Sequence, residues 1–597
     1  MYSTGKHQPH ESKLLLSSFS HNETSRKSGN KCRQVGFCLT SKAAILVLTW
    51  TVFVGTFHFI MHISMIIIIY LSDLIYINVA LPFFVLNFFV MLLFIFYPLC
   101  GYFADVWCGR FRTIITSLTM LLFSTTIYLG CLLPSCLLSF KVLLNNDIII
   151  LLYSLVVIFL FISIIGVAGF GANFIQFGLD QLLEAPSHHQ ALFVHWAKWC
   201  YDLTNMGSWF LICIALLYYY DITYYRAEAI FISSSYTLLG FVLLSLLLFG
   251  YWKRHWFNSE PAGHNNPYKI VVKVLHFAWN HTQMLQRSAF TYCDDERPSR
   301  LDFAKERYGG PFTTEQVEDV KTLLKVVVIL SAIGPIFMLD TPTSTISLAV
   351  INSHLVKSID HISWSWVIVT SGLLRHVTST VFLPIYIWIV FVLFRKRTPK
   401  IFYRLGFGIF SYLLGVLVIF TIDVIGHIQH QGNGTKCIYI VPSNFSNYYD
   451  ISYLEMHWAV NIPSNMLIGI GSTTVTVTIF EFISAQSPYS MKGLLLGTHF
   501  AITGVYQFLS SVLLVPFTLH RPESGGLHPP PIGCMFGYFL LLCLIAFADL
   551  ILFSAAAKWY QYRERDDRPY DHRFVIDVYS RYLSQAQDYA SSESDGD

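Results

Sequence analysis

Charged side chains are scarce in this sequence: Asp, Glu, Lys and Arg make up 13% of its 597 residues. That is about half the share of an ordinary soluble chain. So little charge cannot cover a water-exposed surface of this length, which excludes a soluble globular protein. The net charge of +3 is small, and no nucleic-acid partner is expected. The 12 cysteines are scattered and show neither a disulfide framework nor a zinc spacing. Residues 1–40 lack an apolar core beside a small-residue cleavage site, so no cleavable signal peptide is expected. No nucleophile–base or metal constellation stands out. An enzyme, a cofactor or a bound metal is therefore not expected.

Apolar runs are abundant instead. Stretches of roughly 20 apolar residues recur along nearly the whole chain, the signature of membrane-spanning helices. Twelve spans are read near 42–70, 77–101, 112–138, 147–176, 192–220, 228–251, 322–341, 363–394, 402–426, 456–484, 496–518 and 532–558. The chain is read as a polytopic all-α membrane protein with the lipid bilayer as its first partner. It divides into a tail (1–41), a six-helix bundle (42–251), a central loop (252–321), a second bundle (322–558) and a second tail (559–597).

Orientation follows from the placement of Lys and Arg. Both tails, the central loop and "FRKRTPK" are rich in them, whereas the alternate loops hold about one each: Lys141, Arg226, Lys357, Lys436 and Arg521. Both termini and the central loop are thus expected to be cytoplasmic. The sequons at Asn433 and Asn444 then fall on the opposite side, where glycosylation is expected, while those at Asn22 and Asn280 should be silent. Cys437 shares that outer loop and is the cysteine most exposed to oxidation. The acidic tail "SSESDGD" has the composition of a disordered segment. Two six-span halves joined by a basic loop fit a transporter with its site between the halves.

Charge inside an apolar stretch is expensive and usually has a purpose. "YPLCGYFADVWCGRFRTI" places Asp105, Arg110 and Arg112 between two apolar runs. With Gly101, Asp105 and Gly109 in register, it resembles the signature of the major facilitator superfamily, whose charges latch a cytoplasmic gate. A short basic turn marking topology is the alternative reading.

A narrower resemblance, to the proton-dependent oligopeptide transporter family, rests on four motifs in order. "GYFADVWCGRFRTI" is similar to the family's second-to-third span signature. "GVAGFGANFIQFGLDQL" ends in its Phe-Gly-x-Asp-Gln, at Phe177, Gly178, Asp180 and Gln181. "CYDLTNMGSW" follows its fifth-span pattern at Tyr201, Asn205, Gly207 and Ser208. "IFEFISAQSPYSMKG" matches its tenth-span signature at Glu481, Phe482, Ser484, Gln486, Pro488, Met491 and Lys492. The resemblance implies a major facilitator fold and transport of small peptides, or of a related small polar solute such as histidine, by alternating access. It points to Asn205, Tyr201 and Asn173 as substrate contacts, and to Glu481 and Lys492 as gate residues beside Gly101, Asp105, Gly109, Arg110 and Arg112.

Six of the family's charged positions are vacant. Its first-span Glu-x-x-Glu-Arg falls on Phe53, Thr56 and Phe57, and its fourth-span lysine on Gly171. The eighth-span acid falls on Ile387 and the tenth-span glutamate on Ser472. Span seven reads "PIFMLDTPTST" where the family tends to carry aromatics and glutamine. Proton coupling needs a buried group whose proton affinity changes between states. Protons are partners here only if another group replaces the lost carboxylates. A transporter-like receptor or scaffold with little or no transport is the second reading.

The remaining polar groups stay open to two readings each. His58 and His62 lie four residues apart on one helix face, either as titrating cavity groups or as a hydrogen-bonded core pair; two such residues alone do not make a metal site. Lys198 and Asp202 share that spacing, with His195 one turn earlier. They form either an intrahelical ion pair or a source of substrate-binding charge. Asp340, Thr341 and Thr343 belong to an outer gate or to the following loop. Ser472, Thr473, Thr474, Thr476 and Thr478 either line a cavity or bond to their own helix. Glu11, followed by Leu15 and Leu16, resembles a dileucine sorting signal. It would engage sorting adaptors and direct the protein to a lysosomal or endosomal membrane rather than the plasma membrane.

Overall fold

Every regular element among the described residues is a helix, apart from one isolated bridge between Lys305 and Phe312. The computed structural model describes residues 46–52, 80–137, 146–182, 187–219, 239–240, 242–251, 266–281, 299–339, 363–394, 399–432, 462–488, 491–519 and 536–563. His58, His62, Asn433, Asn444, Glu11, Leu15 and Leu16 lie outside them, as do Cys437 and the Asp340–Thr343 segment. Residues 1–560 form one unit and 561–597 another, and the first is described below.

The helices are α1 (Ala80–Phe103), α2 (Arg110–Leu137), α3 (Asn146–Asp180), α4 (Ser187–Tyr219), α5 (Pro267–Asn280) and α6 (Thr314–Ile333). They continue with α7 (Ser363–Ile387), α8 (Ile401–Gly432), α9 (Ile462–Gln486), α10 (Lys492–Leu519) and α11 (Phe536–Trp559). Seven helical stretches among the described residues are long and apolar enough to cross a membrane. Helix α6 begins at Thr314, eight residues before the expected span at 322. The reason is local. Thr313 accepts from the Gln316 amide and Gln316 bonds back to Thr313, a capping box that starts the helix before the apolar run.

Between α1 and α2 the chain makes a π turn, Ala104–Cys108, closed at Gly109 with φ 77° and ψ 149°. That region is essentially restricted to glycine. Gly109→Ala is expected to cost about 1–3 kcal/mol, read as a lower apparent melting temperature of the purified protein. An unchanged midpoint would mean that the turn tolerates a Cβ.

Helices α1 and α10 pack through small residues. A Cβ on Gly101 would lie 2.5 Å from the Gly493 carbonyl oxygen, and one on Gly497 would lie 2.5 Å from the Pro98 Cα. Glycine lets the two backbones meet, as membrane helices commonly do. Helices α4 and α7 are joined by Trp199, whose Nε1 donates to the Thr380 carbonyl at 3.0 Å. Residues 46–52 belong to the expected first span. There Trp50 donates to the Ala197 carbonyl at 2.9 Å and stacks on Phe174.

The central loop contains structure of its own. Asn266 caps α5, with Pro267 at its first position. Asp302 caps the start of the short turn Arg300–Ala304 by accepting from Ser299, and it gathers Lys305 at 2.6 Å and Lys321 at 2.5 Å, with Glu318 also bound to both lysines. Burial works against the Asp302 charge, but hydrogen bonds from Lys305, Lys321 and Ser299 hold its carboxyl below the usual range.

Candidate functional site

Three helices bring polar side chains together near their midpoints. Asn205 is 18 residues beyond the start of α4, about 27 Å along a helix rising 1.5 Å per residue. Arg375 and His376 sit in the middle of α7, and Ser472 in the middle of α9. The Asn205 amide lies 2.9 Å from His376 Nε2, and Arg375 donates to Ser472 Oγ at 3.1 Å. Lys198 and Asp202 are paired at 2.6 Å, and Asp202 is 4.0 Å from His376 Nδ1. The ammonium of Lys198 also lies 4.9 Å from the centre of the half-buried Tyr201 ring.

This arrangement refines the two readings of Lys198 and Asp202. They are an ion pair, and they also belong to the mid-helix cluster rather than to a helix end. Lys198 and Arg375 set two cations against one carboxylate, so the cluster is formally positive with neutral histidine. Such a site can present cations to a carboxylate, and Asp202 and Asn205 to an amine.

Packing shows what surrounds the positions expected to carry the family's charges. Gly171 stands where the fourth-span lysine would, and a Cβ there would run into the hydroxyl of buried Tyr97. The space is filled by a tyrosine from α1 instead. Ile387 is fully buried in an apolar cluster with Leu383, Val390 and Val477. Ser472 has become the Arg375 acceptor. Three other hydroxyls of α9 bond back to their own helix, Thr474 to Ile470, Thr476 to Ser472 and Thr478 to Thr474, whereas the buried Thr473 hydroxyl has no hydrogen bond among the described residues. Asn173 stands apart from the cluster, since its amide donates to Gly169 in its own helix at 2.8 Å.

Several residues of the expected latch meet at the end of the helices expected to be cytoplasmic. Arg110 binds Asp180 and, at 3.1 Å, Asp105, all three of them buried. Asp105 also accepts from the Gly493 amide at 3.1 Å and from the Tyr268 hydroxyl at 3.0 Å. The expectation that both arginines join this cluster is corrected: Arg112 is exposed and makes no ion pair among the described residues. One residue separates it from Arg110 along α2, and 200° of helical rotation points it away. Asp180 is the third member instead. Lys492 is buried at the start of α10.

Glu481 anchors a second contact across α4, α8 and α9. It binds Arg404 at 2.5 Å and faces His195 Nε2 at 3.2 Å. The other nitrogen, Nδ1, lies 2.6 Å from the Ala191 carbonyl. A carbonyl can only accept, so Nδ1 carries a hydrogen. The Nε2–Glu481 contact is then attractive only when one further proton sits between the imidazole and the carboxylate.

Sequence reasoning passed over Arg375, His376 and Arg404 and left Asp180 without a role. For Arg375 and His376 a signal was present, because ionisable residues in mid-span are functional by default. Arg404 was hidden by the basic run just before it. Asp549, buried in α11 with neither oxygen hydrogen-bonded among the described residues, was also passed over.

A model of the POT family matches residues 117–525. Solute carrier family 15 member 3 of Mus musculus is 21% identical over 66% of this chain and 67% of its own length. Protein NRT1/PTR FAMILY 5.1 of Arabidopsis thaliana is 24% identical over 79% of this chain and 82% of its own. Among solved structures, the POT family transporter PepTSo covers 88% of this chain and 99% of its own, with a TM-score of 0.58 at 14% identity. An auto-inhibited POT family peptide transporter covers 89% and 99%, with a TM-score of 0.55 at 17% identity.

Proposed function

The chain belongs to the POT family, and from that premise we propose that it moves small peptides, or a related small polar solute, across a membrane by alternating access. The observation that carries this reading is the cluster of buried Lys198, Asp202 and Asn205 with half-buried Arg375, His376 and Ser472. It is built by α4 from the first half of the chain and by α7 and α9 from the second. A site supplied by both halves changes shape when they rock against each other. Arg375 and Lys198 suit a carboxylate, and Asp202 with Asn205 suits an amine.

The contacts of Asp105 with Arg110 and Gly493 support the reading of a closed latch that seals the basic-loop end. Opening that end separates Asp105 from Gly493 and Glu481 from His195. The contact of His195 with Glu481 gives the chain a candidate for the coupling role that the missing first-span carboxylates play in the family. His58 and His62 are the other candidates. The acidic dileucine stretch at Glu11, Leu15 and Leu16 favours a lysosomal or endosomal membrane, with both termini cytoplasmic and Asn433 and Asn444 glycosylated in the lumen.

Uptake of a labelled dipeptide into liposomes containing the purified protein tests this reading, with and without an inward proton gradient. Uptake is expected with wild type. Arg375→Gln and Asn205→Ala are each expected to lower it at least about tenfold, the equivalent of one lost interaction of 1.4 kcal/mol. His195→Gln is expected to remove gradient stimulation while leaving uptake measurable. Absence of uptake across a panel of peptides and small polar solutes would overturn the transport reading and leave the scaffold. Uptake that is indifferent to Arg375 and Asn205 would move the site elsewhere.

A further inference from the structure

Helix α5 sits outside the spans, yet it is apolar over most of its circumference. Val271, Val274 and Ala278 are buried, and the ring of Phe277 packs edge-on to Phe312. Val272, Leu275 and Trp279 continue that apolar arc into the exposed surface at 67%, 36% and 84% exposure. At 100° per residue these three fall within a 60° sector. Lys269 and Lys273 fall on the opposite edge of the exposed arc, with His276 between the two sectors. A helix outside the spans with a continuous apolar sector, an exposed tryptophan and flanking lysines has the pattern of one lying in a membrane interface.

The same helix is tied to the latch. Asn266 donates to the Tyr102 hydroxyl at 3.1 Å, and the Tyr268 ring lies 4.8 Å from that of Tyr102. The Tyr268 hydroxyl donates to Asp105 Oδ2, the same oxygen that accepts from Gly493. Its other side rests on the 299–313 segment leading into α6. Helix α5 therefore bridges the first and second halves of the chain across the end where α1 meets α10.

We infer that α5 is a lever that docks on an anionic membrane surface through Trp279, Val272, Leu275, Lys269 and Lys273, and that docking holds the Asp105–Gly493 latch closed through Tyr268. Anionic lipid is the fitting occupant for two reasons. The exposed sector pairs apolar side chains with lysines and carries no acidic residue. The helix also lies along the chain between two apolar helices, one ending at Tyr251 and one beginning at Thr314, so a bilayer that holds them is within reach of the linking segments. The inference rests on the membrane reading and on the latch of the proposed function, and its readout needs no transported solute.

Hydrogen exchange of the full chain tests it, in nanodiscs of phosphatidylcholine alone or with about 30% phosphatidylserine. In the anionic discs, amides of 268–280 are expected to exchange more slowly, and those of 104–110 and 491–494 to slow with them. Lys269→Gln with Lys273→Gln is expected to weaken the dependence on phosphatidylserine by roughly 30-fold, the equivalent of two lysines near a charged surface. Tyr268→Phe removes only the hydroxyl. It should leave protection of α5 intact and abolish the lipid dependence at 104–110 and 491–494. Exchange in α5 that ignores lipid charge, or that is unchanged in the double glutamine variant, overturns the docking. Protection that appears only with two copies per disc also overturns it, since a second copy of the chain would then cover the face. Lipid-dependent exchange at the latch in Tyr268→Phe overturns the lever.

Discussion

Arg110→Ala should be among the most damaging single substitutions in the protein, at roughly 3–5 kcal/mol. It strands two buried carboxylates, Asp105 and Asp180, whose common partner is the Arg110 guanidinium. Asp105 would still accept from Gly493 and Tyr268, but two neutral donors do not offset a charge held away from water. The expected reading is a large fall in the apparent melting temperature of the purified protein, followed by tryptophan fluorescence. Replacing Asp105 and Asp180 by asparagine in the same chain should recover much of the loss, because no unpaired charge then remains buried. Arg112→Ala is the control. Two positions along the same helix and exposed, it should change stability by no more than about 0.5 kcal/mol. Equal effects at Arg110 and Arg112 would show that the buried triad contributes nothing specific.

The second large effect belongs to Lys198 and Asp202. Removing either partner alone leaves a buried charge and should cost about 3–5 kcal/mol, whereas replacing both with apolar residues of similar volume is often neutral. Lys198→Met with Asp202→Leu is therefore expected to melt near the wild-type temperature while each single alanine variant melts well below it. Uptake then separates the two roles of the pair. If the charges serve only each other, the double variant transports normally. If they belong to the solute site, as their place beside His376 and Asn205 indicates, it folds but loses most uptake. A stable, fully active double variant would remove the pair from the site.

The two predictions concern residues of differing legibility. Asp105 and Arg110 could be read from the chain because a charged motif between apolar runs has a fixed register with Gly101 and Gly109. Asp180 stood inside a recognisable motif, yet nothing in one dimension says that the end of α3 meets the start of α2. His195 and Arg404 were harder still. Each is a single polar residue near the end of a span, where basic and titratable side chains are common for topological reasons alone. Only their convergence on Glu481 distinguishes them.

Composition and long apolar runs by themselves determined an all-helical membrane protein, since the hydrocarbon core constrains any spanning chain to bury its backbone polar groups in helices or closed barrels, and the resemblance of four motifs gave the family. Glycine at 101, 109, 493 and 497 was visible as sequence, but its purpose became clear only where α1 meets α10 and where the chain turns with positive φ. Tertiary structure alone decided which polar residues share a site. The first-span, fourth-span and eighth-span charges of the family are absent from this chain, and in the described residues Tyr97 and Ile387 fill two of the vacated places. Charge sits instead on α4 and α7, at Lys198, Asp202 and Arg375. These residues lie far apart along the chain from Ser472 on α9, and only packing brings Arg375 within hydrogen-bonding distance of it.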